Sequence, residues 1–301
     1  MNDCLICGSK NVEIKKAVIA DFLLERIWNN KKDKKTDLIH CKECGFAYFK
    51  QRLNEEEASH LYTGYRNGCY QQQRQKYESW YTKEINNFTS DDVAYNFSQE
   101  TMEQIFCEAN INIEEIKIAL DYGGDTGKNI PRIFNKDTKK YVYDISGVDT
   151  EKDVIGLTDL NVVRNTKYDF IMNTGVLEHV SSPKEIVLII KSLLRDNGIT
   201  YIEVPFDSPF HKVPTDYIQF LFNKNFKIKA LIDRFILNLK YPYKMHEHIN
   251  YFTPESINKL LQNCGLDVKT VRVIRSKSSH FGIQDSICIL AGIKIDLPAG
   301  Q

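Results

Sequence analysis

The 301-residue chain lacks any apolar run that approaches the roughly 20 residues needed to cross a bilayer. Its first residues, MNDCLICGSKN, do not join a charged region to an apolar stretch, as a signal peptide would. It also lacks excess charge, since 40 basic and 40 acidic side chains leave a formal net charge of zero. A nucleic-acid footprint needs clustered Lys and Arg, so we expect neither a nucleic-acid nor a membrane partner. These absences predict a cytoplasmic location, where the eight cysteines stay reduced.

Four of these cysteines stand in two C-x-x-C pairs, CLICGS and CKECGF, each followed by a glycine that permits a tight turn. They are Cys4, Cys7, Cys41 and Cys44. Two such pairs have the spacing of a tetrahedral zinc site, and four sulfur ligands leave no open position for water. We therefore predict a structural Zn²⁺ in an N-terminal ribbon over residues 1–52.

Residues 53–110 are polar and rich in tyrosine, and their pattern predicts a helical segment on the substrate side. Asn54 is a plausible N-cap before three acidic residues. Strong helix formers fill residues 70–88, and a further helix is predicted from Ser98.

From residue 111 the pattern changes to apolar strands that alternate with helices. The strands are IKIALDY, KYVYDI, YDFIMNT and GITYIEVP, and a third strand of the series is expected around NVVR, residues 161–164. Alternation of this kind predicts an α/β domain with a parallel, Rossmann-like sheet and helices on both faces. This core covers residues 111–205 and 252–301. Residues 206–251 interrupt it as an insert, a predicted lid with helices over residues 215–224 and 229–239.

The stretch LDYGGDTGKNIPRIF links the first of these strands to a glycine-rich turn and then to a predicted helix. An acidic residue, Asp144, follows about 20 positions after Gly123, the spacing of a carboxylate that holds ribose hydroxyls. The turn carries Asp125 where a glycine is usual. A carboxylate there suits a cationic ligand better than a pyrophosphate, although the turn alone also allows a phosphate ligand or none.

Together with VLEH, Val176 to His179, these motifs make the chain resemble the class I S-adenosylmethionine-dependent methyltransferases. The resemblance implies a methyl-donor site, in which Asp144 holds the ribose and Asp121 meets the methionyl end. Asp159 and Leu160 fall where the loop beside adenine lies in the family. The implied donor-binding residues are Asp121, Gly123, Gly124, Asp125, Gly127, Asp144, Ile145, Asn173 and Thr174.

The stretch HEHINYF resembles a segment of zinc-bearing methyltransferases that act on nucleotide-linked sugars. That resemblance implies His248 as the base and Glu247 as its support, and His179 is a second candidate base. His211 and His246 are weaker candidates. The sugar C-methyltransferases carry a tyrosine where this chain has Met245, so we favour O-methylation, with C-methylation as the alternative.

An acceptor site is predicted along the tyrosine-rich helix, because arginine and tyrosine suit a phosphate or a phosphorylated sugar. The predicted acceptor-binding residues are Tyr65, Tyr70, Arg74 and Tyr251. The sequence thus predicts a methyltransferase for a sugar, sugar-linked or phosphorylated small molecule, such as a precursor of surface polysaccharide. A non-catalytic zinc-ribbon protein with an interaction-only sheet domain is the other hypothesis.

Overall fold

The computed structural model describes residues 3–79, 81–86, 92–207, 209, 243–278 and 282–293. Its strands are β1 (Val12–Ile19), β2 (Lys35–Cys41), β3 (Ala47–Phe49), β4 (Ile118–Tyr122), β5 (Lys139–Tyr143), β6 (Val154–Leu157), β7 (Tyr168–Thr174), β8 (Leu194–Pro205), β9 (Tyr243–Met245), β10 (Asn250–Tyr251), β11 (Leu266–Ser278) and β12 (Gly282–Ile293). They form two sheets, one of five strands and one of seven.

The seven-stranded sheet has the order β11-β12-β8-β7-β4-β5-β6. Strands β6, β5, β4, β7 and β8 run parallel, whereas β12 pairs antiparallel with both β8 and β11. The centre of the sheet is fully buried, as Ile171 and Met172 of β7 show. The predicted Rossmann-like α/β fold is therefore confirmed. Strand order reverses between β4 and β7, and ligands of such sheets bind in the crevice outside the carboxyl ends of the strands at that point.

The five-stranded sheet has the order β10-β3-β2-β1-β9 and joins the C-terminal end of the predicted insert to the N-terminal strands. Residues 243–251, which flank the predicted core, therefore pair with the cysteine-bearing part of the chain. Residues 215–224 and 229–239, predicted as helices, and His211 lie outside the described residues. In the described part, no helix combines the length and apolar character that a bilayer crossing requires.

The helices are α1 (Asp21–Trp28), α2 (Glu55–Tyr62), α3 (Gly68–Gln75), α4 (Lys83–Asn86), α5 (Asp92–Glu108), α6 (Leu160–Arg164), α7 (Pro183–Leu193) and α8 (Pro254–Asn263). The predicted cap of α2 is confirmed, because the Asn54 side chain accepts a hydrogen bond from the Glu57 amide and forms a capping box. Helix α5 begins at Asp92, ahead of the predicted start at Ser98. The predicted helix over residues 70–88 is broken, since α3 ends at Gln75.

Two predictions about the core were wrong. The third strand of the series is β6, whereas residues 161–164 belong to α6, which begins where the Asp159 side chain caps the amide of Asn161. The glycine turn leads into further turns at residues 124–138, not into a helix. Pro131 explains this, because proline lacks an N–H and disfavours helical angles at the residue before it. Ile130 and Phe134 are buried in the core instead.

Candidate active site

The turn after β4 is a left-handed backbone curve at the carboxyl end of the sheet. Gly123, Asp125 and Gly127 have φ angles of 80°, 55° and 77°. Aspartate tolerates this region better than most side chains, so Asp125 fits where a glycine is usual. A Cβ on Gly123 would lie 2.6 Å from Val176 and one on Gly127 2.8 Å from Val154, so both glycines are required by close packing.

The Asp121 carboxylate lies directly beneath this turn. Its side chain is 0% exposed, and a Cβ on Gly124 would lie 2.0 Å from its carboxyl carbon. Neither of its oxygens has a hydrogen-bond partner among the described residues. Burial, with smaller effects of Asp144 and Asp125, raises the pKa of Asp121 to about 8. Burial and Asp144 also raise the pKa of Asp125. Three acids thus crowd one turn, an arrangement that a bound cation would stabilise.

Asp144 follows β5 and faces the same turn. Its carboxylate accepts hydrogen bonds from the Asp125 amide at 3.0 Å and from the Ser146 amide at 2.8 Å. Each carboxylate oxygen can accept more than one bond, so acceptor capacity remains for a ligand hydroxyl. Ile145, beside it, is 58% exposed, which is high for a large apolar side chain. The structure therefore places an acidic acceptor and an exposed apolar surface next to each other.

Asn173 and Thr174 end β7, directly beside β4 in the sheet. The Asn173 amide donates to the carbonyl of Tyr122 at 2.8 Å and so joins the ends of the two strands. Its oxygen is buried and has no partner within the described residues. The predicted donor residues after β4, β5 and β7 are thus brought to one edge of the sheet. Asp159, predicted for the loop beside adenine, caps α6.

Past Thr174, the chain carries a second group of polar side chains. One ligand atom each of Glu178, His179 and His248 lies within 4.8 Å of the others. Asp207, which follows β8, has its Oδ2 3.5 Å from Nδ1 of His248. Burial raises the pKa of Glu178 to about 7. Burial, with a smaller effect of His248, lowers the pKa of His179 to about 3, so this imidazole is uncharged at neutral pH.

The backbone of this second group is tied down by the segment before β10. The carbonyl of Glu178 accepts hydrogen bonds from the amides of Ile249 and Asn250 at 2.8 and 3.0 Å. The Asn250 side chain donates to the carbonyls of Leu177 and Val180 at 2.8 and 2.7 Å. The guanidinium of Arg52 donates to Asn250 Oδ1 at 2.8 Å. These bonds hold the loop after β7 against the five-stranded sheet.

Glu247 lies beside His248 in the sequence, but its carboxylate is held by α3. It accepts hydrogen bonds from the Tyr70 hydroxyl and from Arg74, the latter at 2.9 Å. Burial alone would raise the pKa of Glu247, but Arg74 and His246 outweigh it and lower the pKa to about 2. Glu78 bonds both Arg74 and His246, at 2.7 Å in each case. The network fixes α3 to the segment that carries His248, so Tyr70 and Arg74 are engaged within the protein.

The other two predicted acceptor residues, Tyr251 and Tyr65, lie nearer the group that contains Glu178, His179 and His248. The Tyr251 hydroxyl donates to the carbonyl of His248 at 3.3 Å and positions that residue. Tyr65 packs edge-on against Tyr62 with ring centroids 5.5 Å apart, and Tyr62 packs against His179 at 6.0 Å. Arg66 stacks over the Tyr65 ring at 5.1 Å.

Sequence reasoning assigned no role to two acidic residues around the cleft, Glu178 and Asp207. Tyr62 and Arg66, from the tyrosine-rich stretch ahead of the core, also lie there. Two atoms of the Arg66 guanidinium, Nε and Nη1, are buried and lack a partner within the described residues, as does the Tyr62 hydroxyl. Glu178 had a signal, since it precedes His179 directly after a strand. Asp207 had none in the local pattern, because only the sheet brings the end of β8 to His248.

The four predicted zinc ligands converge, and three of them, Cys4, Cys41 and Cys44, are buried. Cys4 Sγ lies 3.7 Å from Cys44 Sγ, and Cys7 Sγ lies 3.5 Å from Cys41 Sγ. Tetrahedral zinc with Zn–S bonds of about 2.3 Å places sulfurs about 3.8 Å apart, so the quartet fits this ion.

A family model described as a methyltransferase domain matches residues 81–271, more than half of the chain. The chain therefore belongs to this methyltransferase family. Its class is that of the S-adenosylmethionine-dependent methyltransferases, as the resemblance implied. A search of curated proteins found no match.

Similar solved structures come from the same broad class. One is the 1,6-didemethyltoxoflavin-N1-methyltransferase of Burkholderia thailandensis with bound S-adenosylhomocysteine. It is 12% identical, with a TM-score of 0.49, and the match covers 87% of this chain and 97% of that one. Another is the magnesium protoporphyrin IX methyltransferase of Synechocystis, 16% identical with a TM-score of 0.40, where 65% of this chain and 83% of that one are covered.

Proposed function

We propose that S-adenosylmethionine binds at the turn after β4, with its cationic methionyl end over Asp121 and Asp125. The observation that carries this proposal is the buried, unpartnered Asp121 carboxylate, flanked by two more acids at the point where strand order reverses. A sulfonium and an ammonium group offset this negative charge, whereas a pyrophosphate would be repelled. Asp144 would hold the ribose hydroxyls, and the exposed Ile145 would pack against adenine.

Methyl transfer is a displacement in which the donor carries the activation. The acceptor oxygen forms a bond to the methyl carbon while the carbon–sulfur bond breaks, and the sulfonium leaves as a neutral thioether. The chain must align the acceptor, exclude water and take up one proton. We propose that the acceptor hydroxyl gives this proton to the group formed by Glu178, His179 and His248, in which His248 or His179 is the base. Glu247 would act by positioning, through the network that holds its neighbour.

The acceptor is proposed to be a sugar, a sugar-linked compound or a phosphorylated small molecule, methylated on oxygen, in a cytoplasmic pathway for surface polysaccharide. Support comes from the HEHINYF resemblance and from the unpartnered guanidinium atoms of Arg66, which suit a phosphate or carboxylate. Tyr65 and Tyr62 would line the same side. Residues 206–251, mostly outside the described part, are proposed as the lid. Residues 1–52 are proposed as the zinc ribbon, residues 53–110 as the helical segment on the substrate side, and residues 111–205 with 252–301 as the donor-binding core. The cysteine quartet is proposed to hold a structural zinc ion.

The donor site is tested by calorimetry with S-adenosylmethionine. Wild type is expected to bind, and Asp144→Ala to weaken binding by more than about tenfold, since it loses two charge-assisted hydrogen bonds to the ribose. Asp153→Ala removes an exposed carboxylate from the same region and should bind as wild type does. If wild type fails to bind millimolar donor, the proposed function is rejected.

The acceptor class is tested by incubating wild type and labelled donor with nucleotide sugars and phosphorylated sugars. Label transfer to an oxygen of one of these compounds is expected. Transfer only to a carbon would favour the alternative C-methyltransferase, and transfer only to unphosphorylated, sugar-free acceptors would contradict the proposed substrate class.

A further inference from the structure

Glu178, His179 and His248 form a two-histidine, one-carboxylate group with ligand atoms within 4.8 Å of one another. The side chains come from the loop after β7 and from the link between β9 and β10, so they meet only in the folded chain. Two imidazoles and a carboxylate are a common ligand set of catalytic zinc and of other first-row divalent ions, with open positions left for a substrate.

The spacing requires only a small closure around an ion. The Oε1 atom of Glu178 lies 3.8 Å from Nε2 of His179. Ligand atoms at about 2.0–2.1 Å from a tetrahedral ion are about 3.4 Å apart, so these side chains would move by less than an ångström. Val176 of the same loop packs against the glycine turn, because a Cβ on Gly123 would lie 2.6 Å from it. An ion here would therefore lie close to the proposed methyl donor.

Both imidazoles have the outer partners that metal-bound histidines usually show. Nδ1 of His179 lies 3.0 Å from the carbonyl of Glu247. As a donor to that carbonyl, Nδ1 carries the proton, and the lone pair of Nε2 faces Glu178. Nδ1 of His248 lies 3.5 Å from the Asp207 carboxylate. Carbonyl and carboxylate partners of this kind orient the ring and raise the basicity of the ligand.

An independent observation points to a missing ligand. Glu178 is 3% exposed, and its Oε2 atom is buried without a hydrogen-bond partner among the described residues. A buried carboxylate oxygen without a partner is costly, and native proteins usually satisfy such atoms. Asp207 and Glu203, two further carboxylates, lie near enough to raise its pKa, so a bound cation would offset their negative charge.

We propose that Glu178, His179 and His248 bind a divalent transition-metal cation that holds the oxygen of the methyl acceptor. This rests on the proposed methyl transfer and specifies how the acceptor is ionised. The cation would lower the pKa of the bound hydroxyl, whose proton passes to solvent as the acceptor binds. The oxygen then attacks the methyl carbon, and the imidazoles act as ligands, in place of the free imidazole base of the proposed function. The acceptor class narrows to compounds with a hydroxyl that can ligate a metal.

The test uses the full chain and Mn²⁺, an ion that favours carboxylate oxygen over the thiolates of the cysteine quartet. Electron paramagnetic resonance measures free Mn²⁺ during titration. Wild type should bind one ion per chain, and Glu178→Gln and His248→Asn should each weaken binding more than about 100-fold. Asp207→Asn, which removes an outer partner, should weaken it by about 10- to 100-fold. His60→Gln alters an exposed histidine away from the group and should bind as wild type does.

Circular dichroism of each variant verifies folding, and Glu178→Gln, which preserves the shape of the side chain, keeps the test valid if His248→Asn does not fold. If wild type binds no Mn²⁺, or the ligand variants bind it as tightly as His60→Gln, the inference is overturned and a free imidazole base remains. Donor calorimetry is scored separately. Donor binding without Mn²⁺ binding rejects the metal site alone, whereas absent donor binding rejects the proposed function whatever the ion does.

Discussion

The Asp121 carboxylate should destabilise the fold that it serves, and Asp121→Asn should therefore stabilise the protein while weakening donor binding. Its pKa is about 8 in the folded chain, against about 3.9 for an unfolded aspartate. The folded state binds the extra proton, so stability falls as pH rises from about 4 to about 8. At 1.36 kcal/mol per pKa unit, the penalty at pH 7 is at most about 4 kcal/mol. Asparagine is neutral at every pH and avoids it.

Urea unfolding at pH 4, 5.5, 7 and 8 measures this effect for wild type and Asp121→Asn. The variant should gain up to about 4 kcal/mol at pH 7. The gain should shrink toward pH 4, where the folded carboxyl is protonated and the unfolded one is about half protonated. Asp153→Asn changes an exposed carboxylate and should show no such dependence. The reasoning is refuted if Asp121→Asn is less stable than wild type at pH 7, or if its advantage grows toward acid pH.

Two further predictions concern the same turn and the cysteine quartet. Gly124→Ala places a methyl group 2.0 Å from the Asp121 carboxyl carbon. Its free energy of unfolding should therefore fall by about 1–3 kcal/mol, and it should bind the donor more weakly. Gly68→Ala meets no atom within 4 Å at the start of α3 and should be neutral or slightly stabilising; equal behaviour of the two would contradict the packing argument. Cys41→Ser should lose zinc by metal analysis and lower the Tm, and an unchanged Tm in zinc-free protein would exclude a structural ion.

The strands of the core were predictable because their signals are local. Buried parallel strands read as short apolar runs, and YDFIMNT matches β7 from Tyr168 to Thr174. The errors fell where competing local signals decide. Pro131 prevents the helix expected after the glycine turn, and the Asp159 cap turns a β-branched run into α6.

The donor half of the site is also encoded locally. Asp121 lies near the end of β4, and Asp125 and Asp144 follow β4 and β5, two adjacent parallel strands that end at one edge of the sheet. The motifs along the chain therefore implied one donor site for these three acids, and the structure brings them together. What the spacing could not show is that Asp121 is wholly buried without a partner, because that depends on how closely Gly124 packs upon it.

The acceptor half was decided by tertiary structure. The sequence alone determined a Rossmann-like methyltransferase with two cysteine pairs, since periodicity and short motifs depend on neighbours along the chain. Only the folded chain pairs residues 243–251 with the N-terminal strands and thereby carries His248 to Glu178 and His179. It also pairs the Glu247 carboxylate with Arg74 of α3, a contact that the position of Glu247 beside His248 does not predict. Contacts between residues so far apart follow from sheet pairing and burial, which no local spacing reveals.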